Sequence, residues 1–167
     1  FLSDDRQLRD LTFWTLGSVG GSTWSKIAVV APAIGAVLCI APFLSRGLNA
    51  LVLGEAEAFH LGVAVERTKR LVIVLAALAV GTSVAVAGLI SFVGLVVPHV
   101  IRIAIGPNHR LLLPASALGG AILLLLADMI ARIAVAPAEL PIGIVTAFVG
   151  APYFLWLLLR RGTVLDA

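Results

Sequence analysis

The chain is poor in charge and in cysteine, and each shortage excludes something. Only 13% of its residues are Asp, Glu, Lys or Arg, too few to clothe the surface of a water-soluble domain of 167 residues. A single cysteine, Cys39, rules out an intrachain disulfide and lies inside an apolar run without an activating neighbour. No H-E-x-x-H, G-x-S-x-G or intramembrane carboxylate pair is present, so nothing in the sequence assembles a catalytic centre. The basic residues come in ones and twos, not as a patch, and nucleic acid is excluded as a partner despite a formal charge of +3.

What the chain has instead is apolar length. Hydrophobic residues make up 60% of it and the mean hydropathy is +1.11. The runs Ile27 to Leu44, Leu71 to Ile90, Phe92 to Ile105, Leu111 to Ile130 and Pro141 to Leu159 carry few or no charges. They predict an all-α polytopic transmembrane helix bundle of about five spans, placed at 27–44, 71–90, 91–105, 111–131 and 141–159. The third is short and holds Pro98, His99 and Arg102 near its end. The short link at Leu89-Ile90-Ser91 predicts that the second and third spans form an antiparallel hairpin if both cross.

Assigning sides alternately puts Arg46, Arg67, Lys69, Arg70, Arg102, Arg110, Arg160 and Arg161 together, against Arg6, Arg9, Lys26 and Arg132. The positive-inside rule makes the first set cytoplasmic. Residues 45–70, 106–110 and the tail 160–167 then face the cytoplasm, whereas 1–26 and 132–140 lie outside. Ser3 to Trp14 reads as a short interfacial helix capped by Ser3 or Asp4. The glycine-rich stretch Gly17 to Ser22 lacks the Lys-Ser/Thr of a phosphate loop. The absence of an initiator Met before Phe1 is read as a sign that a helix precedes it.

Small residues recur at four-residue spacing: Ala77 and Gly81, Ala115 and Gly119, then Gly143, Ala147 and Ala151. In lipid such spacing predicts close helix packing, with a pore lining as the alternative. His60, His99 and His109 have no second ligand at i+3 or i+4 and are not expected to hold metal. Asp128 and Arg132 stand one turn apart, so either they pair with each other or Arg132 offers its charge to an external partner; Glu139 is open to the same two readings. In 45–70, Leu48, Leu51 and Val52, then Ala56, Phe59 and His60, keep helical spacing around Gly54, with a further break at Gly62. Two short amphipathic helices are expected there, resting on lipid or docked on a protein, with Glu55 and Glu57 favouring the protein.

Five stretches, in order, carry a resemblance. They are L-N-x-L-x-L-G-E-x-x-A-x-x-L-G from Leu48, G-L-I-S-F-V-G-L-V-V-P-H-V-I-R from Gly88, H-R-x-L-L-P from His109, L-L-L-A-D-x-x-A-R from Leu124, and A-E-L-P-I-G-I-V-T-A-F-V-G-A-P-Y-F-L-W-L-L from Ala138. The chain resembles the FecCD-type permeases of ABC importers for iron siderophores, heme and cobalamin, and corresponds to the second half of their ten spans. The resemblance implies a homodimeric inner-membrane permease with a cytoplasmic C-terminus and no catalytic site of its own. ATP and Mg would be bound by a separate dimeric ABC subunit, and a periplasmic or surface binding protein would deliver the substrate. It further implies ATPase coupling through Leu51, Leu53, Gly54, Glu55, Ala58, Leu61 and Gly62, and binding-protein docking at Arg132 and Glu139. The openings S-D-D-x-Q-L-R and T-F-W-x-L-G-S, with V-A-P-A-E-L-P before the last span, look most like heme permeases, ahead of siderophore or cobalamin ones. An intramembrane enzyme and a passive helical channel are the competing classes; the first would turn over without nucleotide and the second would need no docking segment.

Overall fold

The computed structural model describes residues 14–134 and 140–165, with side chains to residue 159. The expected interfacial helix before Trp14, and Glu139, lie outside the described residues. Among the described residues every regular element is helical: α1 Trp24–Leu51, α2 Glu55–His60, α3 Val65–Ala87, α4 Val93–Ile105, α5 His109–Ala134 and α6 Ile142–Leu165.

Four of these, α1, α3, α5 and α6, are long and apolar enough to cross a membrane. At 1.5 Å per residue the 28 residues of α1 reach about 42 Å, against about 30 Å of hydrocarbon. The 13 residues of α4 reach only about 20 Å, less than the hydrocarbon thickness by themselves. Some hydroxyls inside the apolar helices are satisfied locally, although the buried Ser116 Oγ and Tyr153 Oη have no partner among the described residues. Thr82 Oγ1 donates to Leu78 O at 2.6 Å and Ser83 Oγ to Ala79 O at 2.7 Å. Most large apolar side chains, Val29, Ile73, Ile133 and Phe148 among them, stay exposed, as a bundle solvated by lipid permits.

Helix α5 is the hub. It packs on α1, α4 and α6, while α1 also lies along α3. A small buried core of Ala127, Ala131 and Ile142 joins α5 to the start of α6, with Val19, Leu124, Leu140 and Val145 around it. Glycines set three of the close approaches. A Cβ on Gly47 would stand 2.9 Å from Thr68 Cγ2 between α1 and α3, one on Gly119 would stand 3.1 Å from Val97 Cγ1 between α5 and α4, and one on Gly150 would collide with Phe92 Cβ. Of the small residues at four-residue spacing, Gly119 therefore does pack helix against helix. At Gly81 nothing among the described residues lies within 4 Å of where a Cβ would be.

Two further expectations are corrected. Helices α3 and α4 do not form a packed hairpin: residues 14–18 are bonded to the end of α3, with Leu89 N donating to Trp14 O at 3.1 Å and Ser18 N to Ala87 O at 2.8 Å. Phe92, left-handed at φ 66°, then turns α4 away toward α5 and α6. Residues 45–51 are not a separate short helix either; α1 runs on through Pro42 and Gly47 to Leu51. Ser45 Oγ donates to Pro42 O at 2.6 Å, and Gly47 keeps its helical place because α3 needs the room. Only the second of the two expected short helices, α2, is distinct.

Candidate coupling and docking surfaces

The turn out of α1 is built to present α2. Gly54 takes φ 115° and ψ 157°, a backbone region that is essentially glycine's own, and no atom lies within 4 Å of where its Cβ would be. Glycine is required there by chain direction, not by packing. At the other end of α2, Gly62 N donates to Phe59 O at 2.9 Å and Val63 N to Ala58 O at 3.0 Å, with Gly62 left-handed at φ 78°. This is the Schellman arrangement that ends a helix on glycine. Glu55 and Glu57 sit in the first turn, at the positive end of the helix. Glu55 also pairs with Lys69 Nζ at 2.5 Å, tying α2 to the first turns of α3.

Held at both ends, α2 buries Ala58 completely and turns outward a patch of exposed Val52, Leu53, Phe59 and Leu61. Leu51, the last residue of α1, is half-buried beside them. The residues singled out by the sequence thus divide: Leu53 and Leu61 present surface, Gly54 and Gly62 shape the turns, Glu55 fixes the tilt and Ala58 seats the helix. Phe59 and Val52 belong to the same patch.

A hydrogen-bonded joint lies behind this patch. Asn49 Oδ1 accepts from His109 N at 2.8 Å and from His109 Nδ1 at 2.8 Å, which places the ring proton on Nδ1. Asn49 Nδ2 donates to Asn108 Oδ1 at 3.0 Å, and that oxygen also accepts from Arg110 N at 3.0 Å. The end of α1 is therefore fastened to the start of α5, uniting the L-N-x-L and H-R-x-L-L-P stretches. His60 and His99 lie elsewhere, edge-on to Phe59 and to Tyr153.

At the far end of α5, Arg132 Nε bonds Asp128 Oδ2 at 2.8 Å, with Arg132 the more exposed partner. A crevice of about 20 Å³ beside them, lined in part by Ser18, Gly20 and Leu140, has room for about one water. Next to it three glycines meet. Gly17 lies against the Leu89 carbonyl, Gly88 against that of Trp14 and Gly143 against that of Leu16, each too close to admit a Cβ. Gly17 O also accepts from Ile142 N at 3.0 Å, so residues 14–18 tie the end of α3 to the start of α6.

Residues 1–160 match the FecCD transport family. The chain belongs to that family. It is 50% identical over 161 residues to the hemin transport system permease protein HmuU of Yersinia pestis, covering 96% of this chain and 48% of that protein. It is 47% identical over 162 residues to the vitamin B12 import system permease protein BtuC of Vibrio cholerae, again covering 96% and 48%. Among solved structures it is similar to an ABC transporter of metal-chelate type in an inward-facing conformation, with a TM-score of 0.84 and 40% identity over 92% of this chain and 49% of that one. This FecCD chain thus spans about half the length of the relatives it matches. Within it, the joint at Asn49 escaped sequence reasoning; the one hint was an amide side chain inside an otherwise apolar helix end.

Proposed function

We propose that this FecCD chain acts as part of the membrane permease of an ATP-driven importer of metal chelates, with heme as the substrate. The observation that carries the reading is the patch of Leu53, Phe59 and Leu61 on a helix fixed by Gly54 and Gly62 at one end of a spanning bundle. Exposed apolar side chains on a rigid helix fit a groove on a protein partner. That partner is the ATP-binding subunit, a dimer carrying ATP and Mg, while the chain itself supplies no catalytic site. Closure of the ATPase pair presses on α2 and, through α1 and Asn49, on α5, biasing the permease between outward-open and inward-open states. A second permease copy completes the path, and a binding protein docks outside at Arg132 and Glu139. The patch end then lies in the cytoplasm of an inner-membrane protein, as does the C-terminus. Heme is favoured by the likeness to the hemin permease; the likeness to the vitamin B12 permease supports cobalamin as the second reading.

The test is uptake by the full-length permease reconstituted with its ATPase and binding protein, supplied in turn with hemin, cobalamin and a ferric siderophore. Phe59→Glu should abolish ATP-driven uptake while leaving the melting temperature nearly unchanged, because the Phe59 side chain is 71% exposed. Uptake that persists in this variant would remove the coupling assignment. Wild type that moved cobalamin but no hemin would overturn the substrate and leave the coupling intact.

A further inference from the structure

The patch end of the bundle holds a second feature that coupling does not use. An open pocket of about 640 Å³ lies between the end of α1 and the start of α5, lined by Pro42, Phe43, Ser45, Arg46, Asn49, Asn108 and Arg110. Its two guanidiniums come from different helices. Among the described residues neither Arg46 nor Arg110 has a carboxylate within 4 Å, although Glu55, Glu66 and Asp128 each have a cationic partner. The pocket is therefore a place of concentrated positive charge with amide donors in its wall. The Asn49 joint holds that wall in place.

We propose that this pocket binds the phosphate of an acidic phospholipid headgroup. A phosphodiester is an anion with several acceptor oxygens, suited to guanidinium forks on two sides. The rim favours lipid over a soluble phosphate. Pro42 and Phe43 line the same pocket, Phe43 is 85% exposed, and both lie near the end of the apolar run of α1, just before Arg46. That boundary is where acyl chains give way to headgroups, and basic pockets between helices on the cytoplasmic side recruit anionic lipid. The inference rests on the orientation argued above but not on the substrate. A lipid bound here would brace α1 against α5 behind the coupling helix.

The experiment is native mass spectrometry of the full-length permease titrated with phosphatidylglycerol or phosphatidylcholine, with melting temperatures recorded in parallel. Wild type should retain phosphatidylglycerol in preference to phosphatidylcholine. Arg46→Gln with Arg110→Gln should weaken that retention roughly thirtyfold, the product of two cationic contacts at a membrane surface. Removing equal charge nearby, by Arg67→Gln with Arg70→Gln, should leave it unchanged. Equal retention of the two lipids, or equal loss in both double variants, would overturn the site. Displacement of phosphatidylglycerol by millimolar inorganic phosphate would overturn lipid as the source. An Arg46→Cys variant that resists a water-soluble maleimide would overturn the proposal by revealing a closed pocket. Because hemin uptake is not the readout, these outcomes stay separate from the fate of the permease reading.

Discussion

Asn49→Ala is the substitution whose cost can be worked most directly from the geometry. It removes an acceptor serving two donors of His109, each at 2.8 Å, and a donor to Asn108 Oδ1 at 3.0 Å. A net hydrogen bond is worth about 0.5–1.5 kcal/mol, and water can reach the half-buried site to replace part of the loss, so the joint should weaken by about 2 kcal/mol. That corresponds to roughly a thirtyfold rise in local opening. Amide hydrogen exchange at residues 109–112 of the reconstituted permease reads it directly, since the His109 amide is itself one of the donors. Protection there should fall roughly thirtyfold, whereas Asn49→Asp, which keeps the acceptor, should lose much less at the His109 amide. Unchanged exchange in Asn49→Ala would refute the idea that this side chain fastens α1 to α5.

Gly143→Ala should lower the melting temperature, because its Cβ would collide with the Leu16 carbonyl; backbone overpacking of this kind costs about 1–3 kcal/mol, and a neutral result would mean that residues 14–18 can move aside. Gly54→Ala should destabilise by about 1–3 kcal/mol through backbone strain alone, which circular dichroism melts would detect, making Phe59→Glu the cleaner probe of coupling. Glu55→Gln removes an exposed ion pair and should barely shift the melting temperature, while making α2 less dependent on salt; a marked loss of stability would mean that the Lys69 contact fixes more than the helix tilt.

The spanning helices were legible because lipid imposes length: the apolar runs had to become helices to satisfy their backbone groups, and four of the five, in α1, α3, α5 and α6, are long enough to cross. The fifth run is helical too, as α4, but its 13 residues fall short of the hydrocarbon thickness by themselves. Helix ends were harder to read. Arg46 and Gly47 look like a break after Leu44, but a glycine pressed against Thr68 is a helical contact, and α1 ran on. That α3 and α4 do not pack directly on each other was not legible, because the left-handed backbone at Phe92 and the bonds from residues 14–18 are tertiary facts without a local signature. In the candidate sites, Gly54 and Gly62 announced their turns, and Asp128 with Arg132 announced a pair at one-turn spacing. The bond from Asn49 to His109 joins residues 60 apart, and no periodicity reports it.

Helix α5 starts at the Asn49 joint and ends at the Asp128–Arg132 pair, so one helix meets both proposed docking ends. The rise of α5 from His109 to Arg132 separates these points by about 35 Å, far beyond the reach of direct contact. Their effects on stability should therefore add within about 0.5 kcal/mol in the double variant Asn49→Ala with Arg132→Glu. Transport should behave otherwise. Arg132→Glu alone should weaken stimulation of the ATPase by the binding protein, most strongly at low salt, as expected for a charge at the rim of an interface. If α5 carries the outer event to the coupling helix through the joint, Asn49→Ala should already blunt that stimulation and the second substitution should remove little more. Simple multiplication of the two losses, alongside additive stabilities, would mean that the ends act independently and that the signal between them runs through another part of the permease.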